Sequence, residues 1–91
     1  MRDIKELIGM LMRVLDHAEV TEAEVRELDF DAEGELLLAL NEAYIGLLEF
    51  AHDRDLRATD RALDRKERWA LQQSLNKIVK LCEAERAPSH Q

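Results

Sequence analysis

The chain has 91 residues, a formal charge of −7 and an isoelectric point near 4.9. A single domain of this size buries about 60% of its unfolded surface, enough for a thin core. Its acidity and 4% aromatic content leave neither a basic footprint for phosphates nor a stacking surface for bases, so no nucleic-acid partner is expected.

Leucine, alanine and charged residues dominate, with three glycines and one proline, Pro88. That is a helical composition. The fold expected is all-α: an antiparallel helical bundle of three long helices, plus one short helix between the first and second. It forms one domain over residues 1–86, followed by a disordered tail over 87–91.

The first helix is predicted from Arg2 to Ala18. Ile4, Leu7, Ile8, Leu11, Val14, Leu15 and Ala18 recur at helical spacing and make one narrow apolar stripe. Glu6 borders the run LIGMLMRVL, Arg13 breaks it and no small-residue cleavage site follows, so no signal peptide is expected. A short helix follows from Thr21 to about Leu28. Thr21 and Glu24 fit a capping box, and Val20 and Val25 fit its hydrophobic staple.

The second long helix is predicted from about Asp31 to His52. Its apolar residues, from Leu36 to Ala51, cover nearly half its circumference, which marks it as central. Gly46 costs about 1 kcal/mol inside a helix relative to alanine, and close approach of another helix would offset that. Asn41, Glu42 and Glu49 within this most apolar region argue against a membrane span.

Between residues 52 and 69 the apolar pattern lapses. The chain is expected to turn near Arg57–Asp60, with Thr59 or Asp60 capping the third long helix. The charges of this segment, including Asp60, Asp64 and Arg68, read as a solvated face. The last helix carries Leu71, Leu75, Ile78, Val79 and Cys82 as its buried stripe, to about Arg86. Cys82 is the one cysteine, so no internal disulfide can form, and the expected location is cytoplasmic.

Charge is unevenly spread. Residues 19–35 hold eight acids and one base, whereas residues 58–91 hold five acids and seven bases. Glu19, Glu22, Glu27, Asp29 and Asp31 form a candidate acidic patch for a protein partner. Asp29, Asp31, Glu33 and Gly34 also fall where a calcium loop places its first ligands and its turn glycine. The closing position holds Leu40 instead of a bidentate glutamate. A helix start, capped by Asp29 or Asp31, explains the same residues. The stretch ELDFDAEGELLLALNEAY is similar to the segment before the second helix of acyl carriers. It lacks their serine, since the serines are Ser74 and Ser89.

Glu49 and His52 give one E-x-x-H, half of what a di-iron bundle needs. No nucleophile–base pair, phosphate loop or metalloprotease motif is present. No enzyme activity and no cofactor are therefore expected. What remains is surface: Leu38 and Ile45, one heptad apart on the second helix, and Trp69, off the core stripe of the last. The expected function is a non-enzymatic interaction or regulatory module, self-associating through these residues. The first alternative is an acidic neutralising protein for a basic enzyme. Small acidic helical bundles of this length include the colicin immunity proteins, whose paired tyrosines are absent here, Tyr44 being the one tyrosine. The second alternative is a weak calcium-type binder at 29–36.

Overall fold

The computed structural model describes the backbone of residues 2–86 and the side chains of residues 4–84. The tail expected over 87–91 lies outside the described residues. Among them there is no strand. Five helices pack together: α1 (Arg2–Leu15), α2 (Glu22–Arg26), α3 (Gly34–His52), α4 (Arg54–Thr59) and α5 (Arg61–Arg86). No described helix is long and apolar enough to cross a membrane.

The stripe of α1 buries Ile4, Leu7, Leu11 and Val14. The helix ends three residues earlier than expected, because His17 takes a left-handed conformation with φ of 69°. The amide of Ala18 donates to the Arg13 carbonyl at 2.9 Å, and that of His17 to Val14 at 3.1 Å. This pair of bonds is a Schellman closure, with histidine where glycine is usual. A Cβ in that conformation costs energy that glycine avoids. His17→Gly is accordingly expected to raise stability by about 0.5–1 kcal/mol in urea denaturation. An unchanged or lower midpoint would show that the imidazole contributes more than its backbone costs.

The capping box of α2 forms as the sequence suggests. The Thr21 hydroxyl accepts from the Glu24 amide at 3.1 Å, and the Glu24 carboxylate accepts from the Thr21 amide at 3.0 Å. That backbone bond is the main reason the Glu24 carboxyl is held below its usual range. Val20 and Val25 are both buried beside it. The start of α3 departs from expectation. Glu33 occupies the cap position without a side-chain hydrogen bond, so neither Asp29 nor Asp31 caps the helix. Gly34 supplies the turn with φ of 67°, which glycine adopts at little cost.

Helix α3 is central, burying Leu36, Ala39, Leu40, Ala43, Leu47 and Phe50. Its most extensive packing is against α5, while α2 lies on another side. A methyl group at Gly46 would stand 3.0 Å from Leu71 Cδ2, so α5 approaches where the small residue permits it. Contacts run in opposite order along the two helices: Phe50 lies under Arg68, Gly46 meets Leu71, and Glu42 meets Lys77. Fully buried leucines, isoleucine, valines and Phe50 each contribute about 1.5–3 kcal/mol by leaving water.

The segment after α3 corrects the four-helix reading. It breaks twice, at Asp53 and at Asp60, and the residues between form the extra helix α4. Asp60 caps α5, accepting from the Leu63 amide at 3.1 Å. The broad apolar arc of α3 ends at His52, and the two aspartates interrupt what would otherwise be a continuous rod.

Candidate functional site

The main polar feature is a buried arginine. Arg57 is 4% exposed and Asp64, Glu67 and Arg68 are partly buried, which corrects the reading of this segment's charges as a solvated face, although Asp60 is exposed as expected. Its position follows from the break at Asp53. A helix leaves its last carbonyls without amide partners, and the Phe50 carbonyl is one of these. Arg57 supplies the donors: Nε at 3.0 Å and Nη2 at 2.6 Å from that oxygen. Its guanidinium also stacks on the Phe50 ring, 3.3 Å from the centroid, a contact that adds cation–π attraction.

Carboxylates surround the remaining donors. Glu19, from the α1–α2 connection, lies 2.9 Å from Nη2, and Asp64 of α5 lies 3.0 Å from Nη1. Burial opposes the charge of Arg57, but the hydrogen bonds to Glu19 and Asp64 override it and hold its pKa above the ordinary range. In return the Arg57 hydrogen bond holds Glu19 below the usual carboxylate range.

Arg68 extends the network. It pairs with Asp64 at 2.9 Å and with Glu19 at 3.6 Å, and donates to the Val14 carbonyl at the end of α1. The Arg68 hydrogen bond, followed by that of Arg57, holds Asp64 below its usual range. Two arginines thus close the C-terminal ends of α1 and α3, where the helix dipoles favour positive charge. Through Arg57 and Arg68 the cluster ties the ends of α1 and α3 to α5 and to the α1–α2 connection.

Glu67 is the strained member. Its Oε1 is buried without a hydrogen-bond partner, 3.5 Å from Arg57 Nε, which already serves Phe50. Burial, and then the carboxyl of Asp53, push Glu67 up to about 7. A shallow depression lined by Glu22, Leu48, Glu49, His52, Asp53 and Glu67 opens beside it.

The sequence-derived candidates are dispersed. Asp29, Asp31 and Glu33 sit exposed in the α2–α3 connection. No three His, Cys, Asp or Glu side chains among the described residues converge to hold a metal ion. Glu49 and His52 are exposed, and His52 Nδ1 lies 3.8 Å from Glu22. Within the acidic patch, Glu19 is turned toward Arg57 and Arg68, whereas Glu27, Asp29 and Asp31 are exposed. Cys82 is half-buried against the core.

The apolar surface candidates are open. Leu38 is 65% exposed, Ile45 55% and Trp69 65%. Nothing among the described residues covers the outer side of α3 between Glu35 and His52: Glu35, Leu38, Glu42, Ile45, Glu49 and His52 are all exposed.

Comparison with protein-family models, curated proteins and solved structures finds no match.

Proposed function

We propose that the chain is a non-enzymatic helical interaction module that self-associates through the outer faces of α3 and α5. The observation that carries this reading is the exposure of Leu38, Ile45 and Trp69 on helices whose opposite sides are packed. Large apolar side chains held on rigid, exposed helix faces are the usual material of protein contacts, and tryptophan is a frequent anchor. On this reading α1, α3 and α5 act as an antiparallel bundle that presents the contact faces. The arginine cluster keeps the helix ends fixed and takes no part in chemistry. A cytoplasmic setting fits the single thiol, Cys82.

Sedimentation velocity over a wide concentration range tests the proposal. The wild-type weight-average coefficient is expected to rise with concentration. Leu38→Ser/Ile45→Ser is expected to weaken association about tenfold or more, through loss of apolar burial, with its helical circular dichroism retained. A wild-type protein that stays monomeric throughout would contradict self-association.

A further inference from the structure

The outer sides of α3 and α5 carry opposite charge. Helix α3 contains no lysine or arginine, and its Glu35, Glu42 and Glu49 stand seven residues apart and exposed. Leu38 and Ile45 alternate with them. Along one side of α5, Lys66, Trp69, Gln73, Lys77 and Lys80 are exposed, while the exposed Val79 and Glu83 lie off that strip. The two strips lie edge to edge on one face, because Glu42 meets Lys77 of the same chain at 3.5 Å. That pair shows the two strips fitting each other chemically.

The geometry points to a second copy of this chain as the occupant of this face, docked so that α3 of each copy lies against α5 of the other. The inference rests on the self-association proposed above and specifies its arrangement. The symmetry decides it. A two-fold axis crossing the helices at the level of Glu42 would stack α3 on a reversed α3, setting Glu42 against its own copy and Glu35 of each copy against Glu49 of the other. Like charges in such a contact are strongly unfavourable. A two-fold axis running along the helices sets the glutamate strip over the lysine strip twice, because α3 and α5 are neighbours in each copy. The same axis carries Trp69 of one copy toward the Ile45–Glu49 stretch of the other, the level that the Gly46–Leu71 and Phe50–Arg68 contacts set. The face measures roughly 28 by 20 Å, from helix rise and diameter. That area, about 560 Å², falls short of the about 800 Å² per partner of a standard specific interface, so the dimer is a weak, salt-sensitive one.

Complementary charge reversal tests the arrangement. One variant carries Glu35→Lys/Glu49→Lys and the other Lys66→Glu/Lys80→Glu. Glu42 and Lys77 are left in their own pair, and all four substituted positions are exposed. Sedimentation equilibrium at low salt is run on the wild type, on each variant and on their equimolar mixture. Each variant alone sets like charges across both contacts and should dimerise about tenfold or more weakly than wild type. The mixture restores opposite charges in both contacts and should form a heterodimer within about threefold of wild-type affinity. Variants that dimerise alone as tightly as wild type would overturn this pairing while leaving self-association standing. So would a mixture that does not recover. A monomeric wild type would remove both.

Discussion

Arg57→Ala is expected to lower the unfolding free energy by about 3–5 kcal/mol, the cost of taking one partner from a buried charge cluster. The cluster explains the size of the effect. Arg57 is the side chain that satisfies the Phe50 carbonyl after α3 stops, and its guanidinium lies between Glu19 and Asp64. Alanine would leave that carbonyl without its donors and the carboxylates facing a cavity. It would also uncover one side of Phe50, which is fully buried. A domain of this size has about 5–15 kcal/mol in total, so the variant should be marginal near room temperature. Arg61→Ala, at an exposed position, is the matched control and should change stability by less than about 0.5 kcal/mol. Urea denaturation of the pair measures both. A loss below about 1 kcal/mol for Arg57→Ala would mean that water replaces the guanidinium at little cost.

Stability is expected to fall as pH rises from about 4.5 to about 7, the opposite of the usual carboxylate behaviour. Glu67 has its pKa pushed up to about 7 by burial and by Asp53, against an ordinary 4.5. The folded protein therefore holds this proton more tightly than the unfolded chain does. Its contribution is fully present below the unfolded value and is lost as pH climbs through the folded one. The loss is on the order of 2 kcal/mol, after allowing for the part of the carboxyl that water reaches. The surroundings give the reason. Glu67 of α5 faces Asp53 at the α3–α4 break and Glu49 of α3, and Arg57 of α4 is the cation that opposes them. Once ionised, three carboxylates crowd one guanidinium already engaged elsewhere.

Glu19, Glu24 and Asp64 act in the other direction. Their pKa values are lowered in the fold, so their contribution is present above the ordinary carboxylate range and is lost as pH drops through the folded values. Maximum stability should therefore sit in mildly acid solution. Glu67→Gln cannot ionise and should flatten the alkaline limb, leaving the acid limb unchanged. Denaturation midpoints at pH 5, 6, 7 and 8 check this. A wild-type midpoint that rises across that range, or a Glu67→Gln profile parallel to it, would contradict the assignment.

Much of the helical architecture was legible because one chemical signal controlled each part. The stripe Ile4, Leu7, Leu11 and Val14 could bury only as a helix. Thr21 and Glu24 named their own start, and Gly46 marked the approach of another helix, realised by Leu71. The end of α1 was missed because a histidine in a left-handed turn carries no sequence signal of the kind glycine does. The cap of α3 was missed because two aspartates stood where one would have served, and the backbone chose neither.

The arginine cluster was missed for a different reason. Charged residues in a polar stretch look solvated, and only the fold reveals that a helix end needs donors there. One signal was present. Ala43, Phe50, Leu71 and Ile78 are buried at multiples of seven, and Arg57 and Asp64 occupy the two positions between. An opposite-charge pair that continues a core stripe is a candidate buried ion pair. The exposed Leu38, Ile45 and Trp69 were legible because they fell off the stripes that the core consumed.

The claim that the outer faces of α3 and α5 form the contact is tested most directly by a dilution series of amide nitrogen–proton correlation spectra. Concentration-dependent shifts should cluster on Glu35 to Glu49 and on Lys66 to Lys80, with the Trp69 indole among them. Spectra that do not change with concentration, or shifts confined to residues 19–33, would contradict it.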